Sequence, residues 1–144
     1  MAKKLFSIFA LSIFILTSAL AGKGGPIVSG MWTGTGEAMY MDGTTADITV
    51  DYASLTQQGN FVYGNSQFTV KVGENDPQTL PGQISGYIHG NVLKGTFGVC
   101  LTVAPDCIGA AVFEGKITGK TLSGTVIDLS DGSTGVVTLK RVSE

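Results

Sequence analysis

Little in this sequence belongs to the side chains that most often do chemistry. It has one histidine, His89, and two cysteines, Cys100 and Cys107. A Ser-His-Asp set would have to be built around that one imidazole, and a zinc site needs more ligands than it and two thiols supply. The scarcity argues against an enzyme and against a bound metal or other cofactor. Charge is scarce too: 14% of residues are Asp, Glu, Lys or Arg, against about 25% in ordinary soluble domains. The basic residues form no patch, so a nucleic-acid partner has no electrostatic footprint. Beyond residue 21 no apolar run approaches the ~20 residues of a membrane helix, and no stretch keeps the spacing of an amphipathic helix. Gly34-Thr35-Gly36 precedes no helix, which argues against a phosphate-binding loop.

The chain opens MAKKLFSIFALSIFILTSALAG. Lys3 and Lys4 precede an apolar run, and Ala19-Leu20-Ala21 fits the small-x-small cleavage rule, so residues 1–21 read as a signal peptide. Residues 22–144 then form one domain, secreted or periplasmic, with no membrane span after cleavage. Lys3 and Lys4 leave with the leader, so nine basic residues become seven against 11 acidic ones. In an oxidising compartment Cys100 and Cys107, in CLTVAPDC, are expected to form a disulfide closing a short loop.

Turn signals divide the rest. Asp42-Gly43, Gly59-Asn60, Gly90-Asn91, Gly119-Lys120 and Asp131-Gly132 each supply residues that accept positive φ. With two longer connections, 73–82 and 100–107, they separate eight alternating segments at 28–41, 44–58, 61–72, 83–89, 92–99, 108–118, 121–130 and 133–142. Two segments repeat: GYIHGNVLKGTF at 86–97 and GKITGKTLSGTV at 115–126. If Gly90-Asn91 is a two-residue turn, Ile88 faces Leu93, Gly86 faces Gly95 and Ile84 faces Phe97, all on one apolar face. The second copy places Phe113, Gly115, Ile117, Leu122, Gly124 and Val126 likewise, and a weaker third sits around Gly59-Asn60 with Val62 and Gly64.

Hairpins that are apolar on one side must hide that side. The expected solution is all-β: an eight-stranded antiparallel up-and-down β-barrel, with a β-sandwich as the alternative. An outer-membrane barrel would need a lipid-facing apolar band, whereas the outward face here is Thr, Ser, Lys and Glu. The paired inward glycines have two readings: they bend the wall sharply, or they leave the interior hollow.

Gly30-Met31-Trp32 on the first strand and Arg141 on the last resemble the lipocalin and calycin pattern. The resemblance implies that Trp32 closes the barrel floor and that Arg141 packs across its ring. No Thr-Asp-Tyr motif and no helix after the barrel accompany the pair, so the resemblance reaches the fold and does not carry a ligand.

Candidate binding residues follow from the inner face: Trp32, Phe68, Ile84, Ile88, Phe97 and Phe113 would line a cup for a small hydrophobic ligand. The second possibility is an interaction module, such as an inhibitor, that meets another protein through loops 73–82 and 100–107. Asp47 and Asp51 share one face of a strand, but Ile48, Val50 and Tyr52 read as its apolar face, so both acids are expected in water. His89, beside a turn on the polar face, is expected to be solvated.

Overall fold

In the computed structural model the alternating segments become eight strands: β1 (Gly30–Met39), β2 (Thr45–Gln58), β3 (Phe61–Val72), β4 (Gln78–His89), β5 (Val92–Val99), β6 (Ile108–Thr118), β7 (Thr121–Asp128) and β8 (Thr134–Ser143). The structure describes residues 25–99 and 108–143; the expected leader 1–21 and the expected Cys100–Cys107 disulfide lie outside the described residues. Every strand pairs antiparallel with its sequence neighbours, and β8 returns to β1 from Trp32↔Arg141 to Met39↔Thr134. The sheet is a closed up-and-down barrel, which leaves no open edge.

At one end the connections are two-residue turns: Gly59-Asn60, Gly90-Asn91 and Gly119-Lys120. Each glycine takes positive φ (61°, 62° and 59°) and its follower does not, the pattern of a type II′ turn. The follower's carbonyl reaches the next hairpin. Asn60 O accepts from Ile88 N, Asn91 O from Ile117 N and Lys120 O from Arg141 N, at 2.7, 2.7 and 2.9 Å. These bonds draw the turns together over that end. The opposite end carries the described connections 40–44, 73–77 and 129–133. Side chains organise two of them: Asp42 Oδ1 accepts from Thr44 N and Asp131 Oδ1 from Ser133 N.

Two details depart from the sequence reading. The connection expected over 73–82 contracts to 73–77, because Thr79 and Leu80 already pair with Thr69 and Phe68. Pro81 disguised this. Ile88 N points to the β3 side, so by alternation Pro81 would aim its missing N–H at β5, beyond the end of the described ladder at Gly82↔Val99. In β2, the register shifts between Val50 and Tyr52. The extra residue of this bulge turns Tyr52 outward and brings Ala53 and Leu55 inside.

The register also places Gly86 against Gly95 and Gly115 against Gly124, and it decides between the two readings of those glycines. A Cβ at Gly64 would stand 1.9 Å from Ser54 O, at Gly95 2.2 Å from Ser85 O and at Gly124 2.1 Å from Glu114 O. The neighbouring backbone already occupies the space. These glycines let strands close tightly as the sheet coils, and they bend the wall.

Val28, Trp32, Leu55, Val62, Ile88, Leu93, Ile117 and Leu139 belong to one buried cluster at the tight-turn end. Toward the other end the inward side chains of Ile48, Val50, Phe68, Val70, Val126 and Val137 are only half-buried. The barrel is filled at one end and hollow at the other.

Candidate functional site

The filled end forms a floor. Residues 25–29 cross it, with Val28 and Trp32 fully buried. Trp32 Nε1 donates to Val28 O at 2.8 Å. The Arg141 guanidinium lies 6.0 Å from the Trp32 ring centroid, within cation–π reach, and its Nη1 donates to Ile27 O and Ser29 O, both at 3.3 Å. The sequence-level resemblance placed this pair here. Gln57 is the residue that sequence reasoning missed. Its Oε1 accepts from Val28 N at 2.8 Å, its Nε2 donates to Gly59 O at 2.9 Å, and its own N–H donates to Ser29 Oγ at 3.0 Å. It sits inward because the bulge resets β2 to Ala53, Leu55, Gln57; a bulge placed at Asp51 would have found it.

Above the floor is a cavity of about 400 Å³, within the range of small-molecule sites. Its walls are largely apolar, with Ile48, Val50, Phe68, Phe97, Phe113 and Val137 among them. The Phe68 and Phe97 rings meet edge to face at 5.0 Å between centroids. Gly82 makes room for this arrangement, since a Cβ there would stand 2.5 Å from Phe97 Cζ. At the mouth the lining turns polar, with Tyr40, Asn75, Asp76, Gln78 and Asp128.

Of the residues expected to line a cup, Phe68, Ile84, Phe97 and Phe113 border this cavity, while Trp32 and Ile88 lie in the packed cluster below it. His89 is exposed beside the turn at the opposite end. Asp47 and Asp51 are exposed on the outer wall, where Asp51 Oδ2 accepts from Thr69 Oγ1 at 2.9 Å. A second hollow of about 490 Å³ lies on the outer wall, lined by neutral groups such as Ser54, Tyr63, Asn65 and Gln83; it is open to solvent.

The titration behaviour of the described groups follows from local bonds. A backbone hydrogen bond from Thr44 holds the Asp42 carboxyl below its ordinary range, and hydrogen bonds from Ser133 do the same for Asp131. The Lys94 ammonium is raised by its hydrogen bond and ion pair with Glu114, at 2.8 Å across β5 and β6. All are surface effects, and of these groups only Glu114 is among the residues that border the cavity.

No protein-family model matches the chain, and no curated protein matches it.

Proposed function

We propose that this protein is an exported, non-enzymatic carrier that holds one small apolar molecule inside a calycin-type barrel. One observation carries this reading: the same kind of apolar inward side chain is buried at the floor and left half-exposed around a 400 Å³ cup. An eight-stranded barrel is just wide enough either to fill itself or to hold one small ligand, and here half of it is unfilled. Apolar walls with a few polar groups at the mouth are the usual form of such a site. The leader-like segment 1–21 supports a secreted or periplasmic location. The outer wall, with Thr49, Asp51, Thr69, Lys94 and Glu114 facing out, supports a barrel in water rather than in lipid. The alternative reading, docking through loops, loses ground because half of the 73–82 segment is strand.

Uptake of N-phenyl-naphthylamine, a neutral dye that fluoresces in apolar surroundings, tests the carrier. The purified mature chain is expected to bind it in one saturable site. Val70→Trp and Val126→Trp, which fill the cup from two walls, are each expected to weaken uptake at least about tenfold while keeping cooperative thermal unfolding. Absence of saturable uptake by the wild type, or wild-type uptake by both filled variants, would overturn the reading.

A further inference from the structure

The described charges are sorted along the barrel axis. The connections at the mouth carry Asp42, Glu74, Asp76 and Asp131, and Asp128 ends β7 there. In that half Lys71, exposed on the outer wall, is the one base among the described residues. The bases gather toward the floor: Lys94, Lys116, Lys120, Lys140 and Arg141. Five to eight residues of strand lie between Lys94, Lys116, Lys140 and Arg141 and the mouth ends of β5, β6 and β8, roughly 17–26 Å. Physiological salt screens charges over about 8 Å. The floor's bases therefore do not neutralise the mouth, and an acidic field stands over the opening of an apolar cup.

Two of these carboxylates belong to the cup itself. Asp76 and Asp128 border the cavity, and so does the half-buried Tyr40. Carboxylates and an aromatic ring at the rim of an apolar cavity form a cation-binding set: the acids attract by charge, and the ring by its quadrupole. Among the described residues that border the cavity there is no Lys, Arg or His, so an anionic head group at the rim would meet repulsion and no donor of opposite charge from them.

Building on the carrier reading, we infer that the cup selects cationic amphiphiles: an apolar body fills the cavity, and an ammonium-type group sits at the rim between Asp76, Asp128 and Tyr40. A neutral molecule of the same shape binds more weakly, and a carboxylate such as a free fatty acid is the poorest ligand.

Displacement of the bound dye by decylamine, decanol and decanoate, which share one chain and differ in head group, tests this at neutral pH. The expected order is decylamine, then decanol, then decanoate, with about a tenfold step between the amine and the alcohol at low salt. That step narrows as salt is raised. In Asp76→Asn with Asp128→Asn the amine-to-alcohol ratio falls toward one. Because the ratio is internal to each protein, a general loss of folded protein does not imitate that change. Asp51→Asn, on the outer wall, keeps the wild-type ratio. Decanoate binding as well as decylamine, or a ratio unmoved by the double substitution, overturns the charge inference and leaves the carrier reading standing. Failure of all three compounds to displace the dye also overturns the inference, since the cup then takes no such amphiphile, while the carrier reading stands or falls on the dye's own uptake.

Discussion

Replacing Gly64 with alanine asks why glycine recurs on the inner wall. The added Cβ would stand 1.9 Å from Ser54 O, 2.9 Å from Ser54 C and 3.1 Å from Leu55 Cα, all backbone atoms of β2. A relaxed carbon–oxygen contact is about 3.3 Å, so β2 and β3 must part locally by roughly 1.4 Å. Ladder bonds of about 2.9 Å then stretch beyond useful hydrogen-bond length. Two weakened bonds cost about 1 kcal/mol each, and residual strain in a packed wall adds about 1–2 kcal/mol. The alanine's stiffer unfolded chain returns about 0.5–1 kcal/mol. The net loss is about 2–3 kcal/mol, or a fall in melting temperature of roughly 8–12 °C for a domain of this size.

Two further substitutions make the measurement decisive. At Gly115 the nearest atom is Leu122 Cδ1 at 2.7 Å, the end of a side chain that can turn away; Gly115→Ala is expected to cost under about 1 kcal/mol. At Gly135 the nearest atom is Glu37 O at 3.2 Å, and Gly135→Ala is expected to be close to neutral. Thermal unfolding followed by circular dichroism reads all three. If Gly64→Ala melts with Gly135→Ala, close backbone approach is not what glycine provides.

Trp32→Ala is expected to cost about 3–5 kcal/mol in urea unfolding, because the ring is fully buried; Arg141→Ala should cost about 1–2 kcal/mol, and the double variant less than the sum, since the two share one contact. Additive losses would dissolve the Trp32–Arg141 pair as a unit. The Asp131 carboxyl is held below its ordinary range by Ser133, so its contribution is present above the unfolded pKa and is lost as pH falls through the folded value. The stability gap between wild type and Asp131→Ala should therefore be constant at neutral pH and close below about pH 4; a gap that persists under acid would refute the assignment.

What the sequence made legible was whatever is periodic or local. Gly90-Asn91 with alternating neighbours was enough to set Gly86 against Gly95, because a two-residue turn leaves one register open. Trp32 and Arg141 were legible through a resemblance, and they meet across β1 and β8. The bulge at Asp51 was not: an inserted residue leaves no compositional mark, so Tyr52 was grouped with the inner face that it leaves. Pro81 was read as a loop residue because its consequence depends on where β5 ends. Gln57 was invisible for a related reason, since a polar side chain satisfied by backbone groups such as the distant Val28 N–H looks like any exposed glutamine. The glycines themselves stayed ambiguous until the neighbouring strand was in place. A missing side chain is the same letter whether the space it leaves is empty or taken by Ser54 O.

The division between the two ends explains how one small barrel can be both stable and hollow. Stability of a domain is a margin of about 5–15 kcal/mol, and the cup contributes less to it than its apolar composition implies, because its side chains are half-buried. The deficit is met at the floor, where Trp32, Leu93, Val28 and Val62 are essentially fully buried and the turns are tied to the next hairpin by Asn60, Asn91 and Lys120. Substitutions at Val70, Val126 or Val137 remove contacts that were incomplete to begin with, whereas those at Leu93 or Val62 open a void in a closed cluster. The longer connections also lie at the mouth, where a change of length or charge disturbs no tight turn. The mouth is thus free to vary in length and charge, and the floor is constrained by the fold.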